Sequence, residues 1–226
     1  MTQTARIDHL VVAAGTLEQG VQWCEATLGV TPGPGGEHPL MGTHNRLLPI
    51  GTSRYPRAYL EIISINPAVP QPGRRRWFDL DDAALREAIR HQPRLIHFVA
   101  STADAASALK SLRGLGIDRG GMLEAERETP SGQLRWQISV RGDGQRLFHG
   151  GLPTVIHWGD DHPADTMPHA GLALQSLQVS HPRPTDLQAA HAAIGLQDVA
   201  VELAPPNLTA VLTTPRGLVT IESGGA

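Results

Sequence analysis

The chain has 226 residues and a net charge of −3, with 18% charged and 40% hydrophobic side chains. That suits one compact unit or two tightly packed halves. It lacks the basic excess of a nucleic-acid binder, and it has no run of about 18 apolar residues that would span a membrane. The N-terminal stretch Met1 to Asp8 has no basic segment followed by an apolar core, so it does not read as a secretory signal. Cys24 is the only cysteine, which excludes an internal disulfide, a zinc finger and a CxxC redox site. It reads as a small buried apolar group in a helix, and a cytoplasmic location fits.

In chain order, residues 6 to 13 (Arg-Ile-Asp-His-Leu-Val-Val-Ala) form a β-rich run with a histidine in fourth place. Leu17, Val21, Cys24 and Leu28 then fall at helical spacing, with Thr16 as the expected N-cap and Gly29 as the stop. Strands are predicted over Asn45 to Ile50 and Arg57 to Ile65. Residues 66 to 93 read as a linker with four prolines, a short helix from Asp81 to His91, and a basic triplet, Arg74 to Arg76. The triplet is either a solvated surface or an anion contact.

The pattern then repeats. Residues 94 to 101 (Arg-Leu-Ile-His-Phe-Val-Ala-Ser) again carry a histidine in fourth place. Ala105, Leu109, Leu112 and Leu115 predict a helix capped by Thr102 and closed at Gly116. Strands are predicted over Gly121 to Glu128, Gly132 to Val140 and Pro153 to Trp158. After Asp160 a third succession follows: a strand over Leu172 to Val179, a helix over Thr185 to Ile194, and strands over Val199 to Leu203, Thr209 to Thr213 and Leu218 to Glu222. The fold class expected is α+β: a β-α-β-β-β module in residues 1–66, a linker in 67–93, a second module in 94–160, and a C-terminal β-α-β-β-β-like unit in 161–226.

Strand alternation suggests a site. Ile7, His9 and Val11 should share one face, as should Leu95, His97 and Val99. Aligning Tyr59-Leu60-Glu61 with Val155-Ile156-His157 makes Glu61 and His157 equivalent, 52 residues after His9 and 60 after His97. Two equivalent positions are then filled twice by groups that bind metals. A divalent cation would compensate a buried Glu61, and an imidazole-rich set suits Zn, Ni, Co or Fe. Thr43-His44-Asn45 is either an ordinary turn or a polar group at the mouth of a cup. Arg135 is a carboxylate anchor only if it faces inward, and Trp158 is a candidate pocket wall. Glu124, Glu126 and Glu128 share a strand face and read as solvated. The remaining histidines, His38 and His162 among them, receive no role.

Several stretches carry a resemblance. Ile-Asp-His-Leu-Val-Val around His9, Leu28-Gly29-Val30 and Tyr59-Leu60-Glu61-Ile62 resemble the vicinal-oxygen-chelate superfamily. Gly36-Glu37-His38-Pro39, Gly42-Thr43-His44-Asn45, Leu134-Arg135-Trp136, Ile156-His157-Trp158-Gly159 and Thr214-Pro215-Arg216-Gly217 are similar to its bacterial glyoxalase-like domain proteins. The resemblance implies paired modules forming an open, cupped sheet around a metal, with ligands from the first and last strands of each module. Carried over, these are His9, Glu61, His97 and His157. His157 departs from glyoxalase I-like members, which have a carboxylate there. The function expected is a metal-dependent isomerase or lyase acting on a small oxygenated molecule. Glu61 would be ligand and base, with His44, Asn45, Arg135 and Trp158 near the substrate. Two alternatives stand beside it: a metal-free small-molecule-sequestering protein of the same fold, and an extradiol-type ring-cleaving dioxygenase. The partner expected is a small-molecule substrate, not nucleic acid or membrane, with a homodimer left open.

Overall fold

The computed structural model describes residues 4–129 and 132–225; the side chains of Glu128 and Thr129, and Met1 to Gln3 of the N-terminal stretch, lie outside them. The first module consists of β1 (Arg6–Ala13), α1 (Leu17–Leu28), β2 (Glu37–His38), β3 (Thr43–Pro49) and β4 (Tyr59–Ile65). After α2 (Ala83–His91), the second consists of β5 (Arg94–Ser101), α3 (Ala105–Gly114), β6 (Gly121–Thr129), β7 (Gly132–Val140) and β8 (Thr154–Trp158). Together they form one eight-stranded sheet in the order β2-β3-β4-β1-β5-β8-β7-β6. In each half the first strand pairs parallel with the last, and β1 meets β5 antiparallel at the centre.

The halves are related down to their irregularities. His9 pairs with Val99 as Val11 pairs with His97, and Ile7 with Ala100 as Val12 with Leu95, so the pair Leu10–Phe98 lies on a pseudo-twofold axis. The register slips at Asp8 in β1 and at Ile96 in β5. Such a bulge places two residues opposite one and breaks the alternation of faces. Ile7 and Leu95 therefore join Leu10, Val12, Phe98 and Ala100 in the core under the helices, whereas Val11, Ile96 and Val99 belong to a second core on the cup side. The expectation that Ile7 shares a face with His9, and Leu95 with His97, fails for this reason.

The helices start and stop for local reasons. Thr16 Oγ1 accepts the Gln19 amide, and Gly29, in the left-handed region at φ 76°, ends α1. In α3 the cap is Asp104, which accepts from Ser107; Thr102, the expected cap, lies two residues earlier and accepts the Asp104 amide instead. Residues 67–93 are more than a connector. Trp77, Phe78, Leu80, Leu85 and Ile89 are buried in the cup-side core, and Arg76 is paired with Asp81 at 2.6 Å. The triplet is thus neither wholly solvated nor an open anion contact.

The C-terminal unit has β9 (Ala173–Ser180), α4 (Pro184–Ala193), β10 (Ala200–Glu202), β11 (Asn207–Thr214) and β12 (Gly217–Glu222). It repeats the succession of the modules but not their pairing. Here β9 is parallel to β10, the strand directly after the helix, and its sheet runs β10-β9-β11-β12. Leu174, Leu177, Val179, Leu187 and Ile194 share the helix-side core with Leu10 and Phe98, so the unit braces the back of the large sheet. No helix of the described residues is long and apolar enough to cross a membrane.

Candidate active site

The bulge in β1 turns Asp8 and His9 towards the cup together. Asp8 is fully buried, and its carboxylate accepts from His9 Nδ1 at 2.7 Å, Trp158 Nε1 at 2.9 Å and His162 Nε2 at 3.2 Å. Burial alone would raise its pKa. The hydrogen bonds from His162 and His9, with the charge those rings can carry, outweigh burial and hold it well below the usual carboxylate range. An ionised Asp8 fixes the proton of His9 on Nδ1 and turns Nε2 into the cup. There it lies 3.7 Å from Glu61 Oε2, too far for a direct hydrogen bond. Tyr59 stacks on the His9 ring at 4.5 Å, and burial, then the charges of Asp8 and Glu61, keep its hydroxyl protonated.

Glu61 is held from the other side by β3. Asn45 Nδ2 donates to Glu61 Oε1 at 2.6 Å and contacts His38 Nε2 at 3.0 Å, while Asn45 Oδ1 accepts the Gly36 amide at 2.8 Å. That amide can only donate, so the orientation of Asn45 is determined and His38 Nε2 must be the acceptor. The pKa of His38 agrees with an acceptor role. Burial, then the charge of Arg127, lowers it to about 3, so the ring is neutral. Glycine at 35 permits this approach, because a Cβ there would overlap the backbone of Asn45.

His9, His38, Asn45, Tyr59 and Glu61 surround a cavity of about 30 Å³, roughly the share of one water molecule. Trp77, Phe78, Trp136 and Trp158 wall it, and Arg127 enters from β6. A cleft of about 450 Å³ shares Leu47, Arg127 and Pro163 with it and continues along the segment around His162 and Asp165. That segment is tied down by an ion pair between Asp165 and Arg57.

The glyoxalase-like domain family matches residues 7–195, most of the chain. The protein belongs to that family. The vicinal-oxygen-chelate fold expected from the sequence is the one observed. Among solved structures, a hypothetical protein from Staphylococcus aureus has a TM-score of 0.60 at 14% identity, over 96% of this chain and 85% of that one. At that identity the likeness is one of fold. A methylmalonyl-CoA epimerase from Streptomyces coelicolor has a TM-score of 0.42 at 23% identity, over 70% and 99%. The Mycobacterium tuberculosis epimerase has 0.38 at 14%, over 68% and 86%. No curated protein matches.

In this glyoxalase-like protein the second module does not repeat the first at the site. Val11 pairs with Glu61 in β4, and its counterpart Val99 pairs with Thr154 in β8. The residue equivalent to Glu61 is therefore Thr154, 57 positions after His97, and not His157. His157 alternates away from Ile156 and Trp158, pairs with Gln137, and donates from Nδ1 to the Thr102 carbonyl. His97 is fully buried and has no lone pair to spare. Nδ1 donates to the Gly150 carbonyl at 2.9 Å, and Nε2 accepts the Thr154 amide at 3.1 Å, beside the Arg119 guanidinium at 3.3 Å. Burial, then the charges of Arg119 and Arg146, keep it neutral.

The four residues expected around a metal thus do not form one set, and no group of three or more His, Cys, Asp or Glu side chains among the described residues is placed to hold an ion. Where the second pair of ligands would stand are His97, with both nitrogens engaged, and Thr154, and the buried Arg119 guanidinium beside them opposes a dication. A Zn, Ni, Co or Fe centre of the glyoxalase I type does not fit these residues, nor does the two-histidine, one-carboxylate triad of a ring-cleaving dioxygenase.

Of the expected substrate contacts, Asn45 and Trp158 reach the site. His44 points to the opposite face of β3 from Asn45, beside Glu37. Arg135 is an exposed side chain bonded to Gln133 and 3.5 Å from Glu126. Glu124 and Glu126 are exposed as expected, and the side chain of Glu128 is outside the described residues. Asp8 and Arg127 carried no expectation, and His38 and His162, expected to have no role, also stand at the site.

Proposed function

We propose that this glyoxalase-like protein is an isomerase- or lyase-type enzyme that moves a proton on a small oxygenated organic substrate, using His9 and Glu61. The observation that carries the reading is the line Asp8–His9–Glu61, with two basic atoms 3.7 Å apart lining a cavity of about 30 Å³. Glu61 Oε2 removes a proton from the carbon beside a carbonyl, and the C–H electron pair moves into the carbonyl to give an enolate. A hydroxyl of the substrate or a water bridging the 3.7 Å between them carries that proton from Glu61 to His9 Nε2, which returns it to the neighbouring atom or delivers it to a departing oxygen. Asp8 stabilises the imidazolium in between, and Asn45 keeps the second oxygen of Glu61 in place. General acid–base groups of this kind contribute about 10²–10⁴ in rate.

Incubating the protein in D₂O with a panel of short carbonyl compounds tests the reading by NMR. Exchange of carbon-bound protons should appear with the wild type and fall about a thousandfold in Glu61→Gln. Compounds that bind without exchanging any proton contradict it. They would favour a small-molecule-sequestering protein, a second reading supported by the narrowness of the inner cavity and by a cleft of about 840 Å³ beside Trp77 and Trp136.

A further inference from the structure

We infer that Arg127 is a specificity-determining residue that takes a substrate carboxylate, so that the compounds acted on are short oxo acids. The inference rests on the proton-transfer reading of His9 and Glu61 and adds the substrate class. Arg127 has the same strand parity as Leu123 and Ala125, both packed against the cup-side core, so it projects into the cup. Its Nε and Nη1 atoms are inaccessible to solvent and have no hydrogen-bond partner among the described residues. Buried donors are almost always paired, so a guanidinium left this way in a cavity is arranged for an acceptor that arrives from outside.

The surroundings favour a carboxylate. Arg127 lines both the inner cavity with Glu61 and the 450 Å³ cleft, so it stands where an entering molecule passes. Its Nη1 lies against Gly36, where a Cβ would collide with it; the glycine makes room for the guanidinium. Of the acids near the path, Asp165 is neutralised by Arg57 and Asp161 is exposed at the rim. Glu61 itself is bonded to Asn45. Arg127, His9 and Glu61 line the same small cavity, so a molecule held on Arg127 by its carboxylate carries its adjoining oxo carbon towards the space that His9 and Glu61 also line. A planar, bidentate partner suits guanidinium better than ammonium.

The test is an NMR titration of the ¹⁵N-labelled protein with pyruvate and 2-oxobutyrate, against the uncharged acetone and acetoin. The two acids should bind in the millimolar range and shift the Arg127 Nε–H signal, with the neutral compounds at least about tenfold weaker. Arg127→Met should weaken the acids by about tenfold to a hundredfold and leave acetone unchanged, and Arg127→Lys should recover part of the loss. The lysine variant, which keeps the charge, separates an anchoring role from loss of fold. Acids that bind no better than the neutral compounds, or equally well after Arg127→Met, overturn the inference. Glu61→Gln should still bind pyruvate. Binding that survives without proton exchange in the wild type leaves the anchor standing and removes the proton-transfer reading, and exchange that ignores Arg127→Met does the reverse.

Discussion

Replacing Asp8 with Asn keeps the shape of the side chain and removes its charge. The carboxylate accepts three hydrogen bonds, from His9, Trp158 and His162. An amide has one acceptor oxygen, so its NH₂ must face at least one of these donors. If the oxygen stays with Trp158 and His162, the amide confronts His9 and forces its proton onto Nε2, the atom aimed at Glu61. A hydrogen bond to a charged group contributes about 1.5–3 kcal/mol, and a stranded buried donor costs about 1–3 kcal/mol. Asp8→Asn should therefore destabilise the fold by about 2–5 kcal/mol. At about 2–4 °C per kcal/mol for a chain of this size, calorimetry at pH 7 should show a fall in Tm of about 4–20 °C. The pH dependence has a definite sign. Asp8 is held below its ordinary value of 3.8 when folded. Its contribution is therefore present above that value and is lost as pH falls through the lower folded pKa. The gap between wild type and variant should narrow below about pH 4. A Tm unchanged at pH 7, or a gap that widens in acid, would refute the reasoning.

Three further outcomes follow from the same contacts. Burial lowers the pKa of His191 to about 4 and, with Arg127, that of His38 to about 3, and it keeps His97 far below 6.5. The folded rings stay neutral while the unfolded chain binds protons below 6.5, so stability is full above that pH and lost as pH falls from 6.5 towards about 3–4. Urea midpoints should drop between pH 7 and pH 5, and His191→Gln should flatten that slope; a flat wild-type profile contradicts the assignment. Gly35→Ala pushes on the backbone of Asn45 and should cost about 1–3 kcal/mol. Chemical denaturation would show it, and an unchanged midpoint would mean the approach is not tight. His97→Gln should leave the metal content of the purified protein unchanged, because His97 has no free lone pair; elemental analysis showing metal lost from that variant would restore His97 as a ligand.

The duplicated runs around His9 and His97 were readable because strand, helix and glycine stop recur in the same order, and the helices and most strands stand close to their expected places. Faces were harder. Alternation assumes an unbroken strand, and the bulges at Asp8 and Ile96 shift the pattern with no mark in composition. The equivalence of Glu61 and His157 failed by three positions, since the connection from β7 to β8 cannot be measured from spacing alone and only pairing reveals Thr154. One signal for Arg127 was present. If Glu124, Glu126 and Glu128 share a solvated face, Arg127, which stands between the last two, faces inward. His162 could not be read at all, because it reaches Asp8 from a loop 154 residues away.

The most direct test of the account compares proton exchange from pyruvate in D₂O for Glu61→Gln and His157→Gln. A centre whose proton-transfer groups come from the first module predicts that the Glu61 variant loses exchange about a thousandfold while the His157 variant keeps the wild-type rate. Equal losses in both variants would contradict it and return the two modules to a shared site.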